Sequence, residues 1–177
     1  DYSDTVAASE RKTEFDRRCA EMEVPGELAL ETGSIASEIT KRAKWADLIV
    51  APLNYPPGAD AIAKLKSGFH TMIVRSPCPV LALPGPLFPV KRILLAYDGS
   101  QKGREALFLA PYLVFRLESE LIVMTTDEDK VFVEQTLTEA RDYLSGHDVE
   151  AEYLGLHGSD VGEAIIKTAD EREIDLI

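Results

Sequence analysis

Apolar residues in the first third of the chain recur at helical and then at alternating spacing. Phe15, Cys19 and Met22 stand four and then three residues apart within the charged stretch 9–22, which predicts a helix lying on a sheet. Pro25-Gly26 ends it. Glu27 to Glu31 alternates polar and apolar residues, the pattern of a short strand, and Ser34 then opens a helix as N-cap with Glu38 in its early turns. Asp47 to Ala51 reads as a buried strand, Pro52 to Gly58 as a loop, and Ala59 to Arg75 as a helix broken near Ser67-Gly68. Pro79 to Leu83 is another strand, and Pro84-Gly85-Pro86 with Pro89 marks a linker.

The second half repeats the alternation more strongly. Arg92 to Tyr97 is an apolar strand running into Asp98-Gly99-Ser100. The helix after it is expected to turn Ala106, Leu107, Leu109, Ala110 and Leu113 to the core and to kink at Pro111, which has no N–H for the helical ladder. Strand at Leu121–Thr125, helix at Phe132–Leu144, strand at Val149–Leu156, a helix capped by Ser159 and running to about Arg172, and strand from Ile174 to Ile177 complete the pattern. Apolar strands alternating with helices predict a parallel sheet covered on both faces.

These halves are related. Thr13-Glu14, Gly33-Ser34 and Glu38 recur 125 positions later as Thr138-Glu139, Gly158-Ser159 and Glu163, and Asp47-Leu48-Ile49 recurs as Asp175-Leu176-Ile177. The expectation is a window on a longer tandem protein, with residues 1–84 the back part of one domain, 85–90 a linker, and 91–177 the front part of the next. The first part then holds strands three to five of its sheet and the second holds strands one to three with the start of the fourth. One closed five-stranded sheet built from both is not expected.

Composition narrows the function. The net charge of −12 repels phosphate backbones and anionic headgroups, so neither nucleic acid nor a membrane surface is expected as a partner. No apolar run approaches the length of a membrane span. Cys19 and Cys78, the two cysteines, lack metal-ligand spacing, and a reducing cytoplasm without disulfide or metal site is the default.

Three segments, Arg92-Ile-Leu-Leu-Ala-Tyr-Asp-Gly-Ser100, Ala46-Asp-Leu-Ile-Val50 and Pro77-Cys-Pro-Val-Leu81, carry a likeness in their order and spacing. Through them nearly the whole chain resembles the universal stress protein family in its tandem form. The resemblance implies a Rossmann-like open parallel α/β sheet of order 3-2-1-4-5, often paired through the fifth strands, as a homodimer or between the two domains of one chain. It implies ATP binding in some members and stress-linked regulation rather than turnover. Its phosphate loop has the pattern G-x-x-G-x9-G-[S/T]. Here Pro52 and Tyr55 stand where the first two glycines belong, and Phe69 follows Gly68 where Ser or Thr belongs, so the first domain is not expected to hold ATP. For the second domain the resemblance places Ala96 and Asp98 beside the adenine and Thr126 opposite, with the phosphate loop beyond Ile177. Asp98-Gly99-Ser100 also reads simply as a tight turn and helix cap. Two other readings stay open: a slow nucleotide hydrolase or adenylyl-transfer relative on the same sheet, and a soluble regulatory domain of a transporter.

The remaining chemistry-bearing residues have structural readings. His70, His147 and His157 are scattered, and Cys78 between two prolines reads as buried filler. Gly155-Leu-His-Gly-Ser159 reads as a helix cap, Trp45 as a side chain packed on a neighbour, and Asp127-Glu-Asp129 as a solvated loop.

Overall fold

A computed structural model describes residues 2–52, 72–73, 75–83, 89–158 and 160–177. The expected loop at 53–58, the helix over 59–71 with Tyr55, Gly58, Gly68, Phe69 and His70, the core of the linker at 84–88, and Ser159 lie outside the described residues. The chain divides into two compact units, residues 1–50 with 55–81, and residues 51–54 with 82–177.

In the first unit α1 (Tyr2–Glu21) is amphipathic only in part. Its exposed side carries Lys12–Asp16, Arg17–Glu14 and Arg18–Glu14 ion pairs at helical spacing. Its apolar stripe meets its own chain. Glu23 takes a left-handed φ of 53°, and a Cβ on Gly26 would stand 2.8 Å from both Cys19 Sγ and Phe15 Cζ. Glycine is therefore required where the chain folds back over that stripe.

No strand forms at 27–31. The alternation is present, but ladder hydrogen bonds need a neighbouring strand, and periodicity alone does not supply one. Helix α2 (Ile35–Ala43) starts at the expected N-cap, Ser34, although the Ser34 side chain makes no capping bond. Trp45, expected to pack on a neighbour, is 92% exposed. Strand β1 (Ile49–Pro52) forms a two-stranded sheet with β2 (Val80–Leu83). The Ile49 N–H donates to the Pro79 carbonyl at 3.0 Å. The expected buried strand is corrected at Val50, which is 56% exposed. Cys78 is buried, its carbonyl accepting from the Ser76 hydroxyl at 2.5 Å.

The second unit contains the larger sheet. Strand β3 (Arg92–Ala96) pairs parallel with β4 (Glu120–Thr126), and β4 with β5 (Glu152–Leu156). Registers Ala96↔Met124 and Thr126↔Leu156 bring the three carboxyl ends together. The other edge of β3 is also occupied. Glu120 and Met124 bond to the backbone of Lys91 and Tyr97, whereas Asp175 and Leu176 bond to that of Arg92 and Leu94, and alternate residues of a strand face opposite edges. Residues 175–176 therefore lie beside β3 away from β4, in a parallel bridge between Leu176 and Ile93. This bridge is all that forms of the strand expected at 174–177.

Helices cover both faces. α3 (Gln101–Leu117) and α4 (Lys130–Ser145) cover the face carrying Ile93, Leu95, Leu121 and Val123, with Leu107, Ala140 and Leu144 buried against them. α5 (Val161–Glu171) covers the face carrying Leu94, Ile122 and Met124 through Ala164 and Ile165. Full burial of side chains such as Leu144 and Val123, each 0% exposed, stabilises by about 1.5 to 3 kcal/mol apiece. Helix α3 continues through Pro111, which is buried. Ala106, assigned to the core by spacing, is exposed, because the buried stripe runs through Leu107, Ala110 and Pro111.

Candidate nucleotide site at the carboxyl ends of the strands

The sheet of the second unit has a topological switch point at β3. The chain moves outward from β3 to β4 to β5, then crosses back to place residues 175–176 on the other edge of β3. Open parallel sheets bind ligands in the crevice outside the carboxyl ends of the strands at such a point. The residues that leave β3 there are Ala96, Tyr97 and Asp98.

Tyr97 is the fixed post. Its backbone N–H donates to the Met124 carbonyl at 2.8 Å, and its own carbonyl accepts from the buried Thr125 hydroxyl at 2.8 Å. Its phenol donates to Glu139 Oε1 at 2.8 Å, and Arg104 Nε donates to the same oxygen at 2.9 Å. Burial first, and the Glu139 carboxylate second, push the Tyr97 phenol up to about 12, while Arg104 holds Glu139 below the ordinary carboxylate range. The phenol is a neutral donor at neutral pH and is committed to positioning.

Asp98 follows, exposed, with its direction set by the start of α3. The Ser100 N–H donates to Asp98 Oδ1 at 2.9 Å, and Ser100 Oγ accepts from the Gly103 N–H at 3.0 Å. Gly99 between them has a φ of 70°, a conformation that suits glycine. Hydrogen bonding from Ser100 lowers the Asp98 carboxyl below its ordinary 3.8 against the opposing effect of partial burial. It is a carboxylate at pH 7. Gly103 is a residue that sequence reasoning missed: a Cβ there would stand 2.6 Å from Asp98 Oδ1, so glycine makes room for the carboxylate on the helix start. Its signal was the Ser100-x-x-Gly103 spacing within the first turn.

Of the other expected site residues, Ala96 and Thr126 are both half-buried. They share the alternation of Leu94 and Met124 and so lie on the α5 face of adjacent strands. The structure thus brings Ala96, Asp98 and Thr126 to the same end of the sheet. His147 is exposed at the other end of α4, its ring 4.5 Å from that of Tyr143, and His157 is exposed after β5.

Acidic residues at this end of the sheet cap the neighbouring helices. Asp127-Glu-Asp129, expected as a solvated loop, is a cap: Asp129 Oδ1 accepts from the Val131 and Phe132 N–H groups, and Asp127 accepts from the Asp129 N–H. Asp160 caps α5 through the Glu163 N–H at 2.9 Å, in the place expected for Ser159. Carboxylates already occupy the starts of α4 and α5, where a phosphate would otherwise find donors. Asp98 remains an exposed carboxylate able to accept further hydrogen bonds, and the capped starts of α4 and α5 leave no comparable cradle for an anion among the described residues. Among the described residues no group of three or more His, Cys, Asp or Glu could hold a metal ion, and no helix is long and apolar enough to cross a membrane. Clefts at the opposite, amino-terminal ends of the strands are lined by Arg92, Glu120, Glu152, Arg172 and Asp175. These side chains pair with one another and with backbone, as in Arg172–Glu152 and Arg92–Glu120.

A solved universal stress protein from Archaeoglobus fulgidus DSM 4304 superposes on 96% of this chain with a TM-score of 0.78 at 20% sequence identity. The chain has the fold of a universal stress protein. It spans 63% of the length of that protein. Two further universal stress protein structures overlap about half of the chain. One, from Burkholderia pseudomallei, is 22% identical over 51% of this chain and 82% of its own, with a TM-score of 0.44. The other, a complex with cAMP, is 23% identical over 50% and 72%, with a TM-score of 0.45. No family model and no curated protein sequence matches the chain. In the universal stress protein fold of the second unit, the switch point at β3 is where the three resemblance-assigned residues stand.

Proposed function

We propose that this chain is a nucleotide-binding regulatory module of the universal stress protein type, made of two tandem domains of which the second binds ATP. Its complete sheets run in the order 3-2-1-4-5. The observation that carries the reading is an ionised, exposed Asp98, held by Ser100 at the carboxyl end of β3 where the strand order reverses. Asp98 accepts from the base or sugar, Ala96 leaves room for the ring, and Thr126 contacts it from the neighbouring strand. Residues following the fourth strand hold the phosphates. In the first domain Pro52 has no N–H and Tyr55 is bulky where the phosphate loop needs glycine, so that domain is structural. The module acts by binding and releasing nucleotide, in the cytoplasm, and not by turnover.

Calorimetric titration of the whole protein with ATP tests this. Binding that is lost in Asp98→Ala, with an unchanged unfolding midpoint, is the expected result. Equal affinity in Asp98→Ala and the parent would overturn the placement of the ligand, and no heat in either would overturn nucleotide binding itself.

A further inference from the structure

At the carboxyl end of β3 a side chain takes over from the backbone ladder. The parallel pairing with β4 runs as far as Ala96 opposite Met124, and one step on the Tyr97 N–H still donates to the Met124 carbonyl at 2.8 Å. The Tyr97 carbonyl then accepts from the Thr125 hydroxyl, also at 2.8 Å. Thr125 follows Leu121 and Val123 at every second position of β4, on the face that α3 and α4 cover, and is 1% exposed. Valine would fill that place with nearly the same volume, so packing does not ask for a hydroxyl there. A hydroxyl in this apolar row costs stability unless it is bonded, and the Tyr97 carbonyl is its partner.

What the bond fixes lies one step from the candidate site. The Tyr97 carbonyl and the Asp98 N–H belong to a single planar peptide, so holding the oxygen sets the direction in which the chain enters Asp98. The Tyr97 side chain is held separately, through Glu139. Beyond Asp98 the chain turns through Gly99 at a φ of 70°, and the Ser100 N–H closes onto Asp98 Oδ1 at 2.9 Å. Glycine leaves that side of the turn permissive, which makes the peptide before Asp98 the place where its aim is decided. We infer that Thr125 is a positioning residue of the nucleotide site: without touching the ligand, its hydroxyl holds the Tyr97–Asp98 peptide in the orientation that presents the Asp98 carboxylate. The inference rests on the reading that nucleotide meets Asp98. Adjacent residues of β4 then serve the site differently, Thr126 from the α5 face by contact and Thr125 from the other face through the backbone behind Asp98.

Two variants of the whole protein separate the hydroxyl from packing. Thr125→Val keeps the branched shape and loses the donor, whereas Thr125→Ser keeps the donor and loses a buried methyl. Hydrogen exchange at the Ser100 amide, which Asp98 Oδ1 protects, reports the aim of Asp98 without ligand, and calorimetry with ATP reports binding. Thr125→Val should speed exchange at Ser100 and weaken ATP binding by about tenfold. Thr125→Ser should stay close to the parent in both, even where the lost methyl lowers its unfolding midpoint. A purely structural role would instead make both readouts follow the midpoints of the two variants. Affinities that fall in step with the midpoints, or a Ser100 amide indifferent to Thr125→Val, would overturn the inference. Faster exchange at Ser100 in Thr125→Val, with no ATP heat in the parent, would uphold the hold on the turn and overturn the nucleotide reading.

Discussion

The tripeptide Asp-Leu-Ile occurs at 47–49 and again at 175–177, and the two occurrences meet different neighbours. At 175–177 the Asp175 carboxylate accepts from the Lys91 and Arg92 N–H groups at 2.7 and 3.0 Å, and the Leu94 N–H donates to the Leu176 carbonyl at 2.8 Å. At 47–49 Asp47 is exposed, the Ile49 N–H goes to Pro79, and the next residue, Val50, is half in solvent. The same residues dock as an additional edge on a three-stranded sheet in one place and build a two-stranded ribbon in the other. Strand identity at this motif is set by what stands beside it. The contrast extends to stability, because among the described residues β1 and β2 belong to neither apolar core cluster, whereas β4 is flanked on both edges and covered on both faces.

The largest expected difference is in the core. Leu144→Ala should cost about 3 kcal/mol of stability in a urea titration, whereas Leu30→Ala, at 57% exposure in the first unit, should stay within about 0.5 kcal/mol. Comparable costs at the two positions would erase the contrast between the units.

The next effect is at the anchor. Asp175→Ala should speed hydrogen exchange at the Leu94 amide and leave the Ile49 amide unchanged. The backbone bonds from Lys91 and Arg92 depress the Asp175 carboxyl below its ordinary 3.8. Its folded value lies below its unfolded one, so the anchoring contribution is whole above 3.8 and is lost as pH falls through the depressed value. Asp175→Asn should remove that acid dependence. Protection at Leu94 that does not respond to acid in the parent would show that the carboxylate is not the anchor.

A smaller effect separates binding from folding. Gly103→Ala improves helix propensity, so stability should rise or stay level by no more than about 1 kcal/mol, while the new methyl displaces the Asp98 carboxylate and lowers ATP affinity. A variant that gains stability and binds as well as the parent would remove Asp98 from the site. The smallest effect is at the post: Glu139→Gln should lower the Tyr97 phenol from about 12, seen in its ring carbon shift, yet leave it above 10 because burial is the larger cause.

The elements that could be read from the chain were those whose pattern and neighbours agree. Arg92–Tyr97 and Leu121–Thr125 are continuous apolar runs, and each finds a parallel partner on both sides. Glu27–Glu31 has the alternation but forms no strand. Asp129 and Asp160 were hidden as caps because a carboxylate one or two residues before an apolar run looks the same whether it faces solvent or the helix start. Trp45 was assigned to packing by its size, but it stands just past the C-terminal end of α2 and is exposed. At the candidate site, the resemblance pointed to Asp98, and the apolar run before it put that residue at the carboxyl end of a strand. Gly103 and Glu139 were not, since their part depends on distances across α3 and α4 that spacing does not contain.

Hydrogen–deuterium exchange with and without saturating ATP reads directly where the proposed nucleotide sits. The expected result is protection of the amides from Ala96 to Ser100 and at Thr126 and Asp127, with the amino-terminal ends of the strands around Arg92 and Glu120 unchanged. Protection confined to those amino-terminal ends, or an unaltered 96–100 segment in protein shown to be loaded, would contradict it.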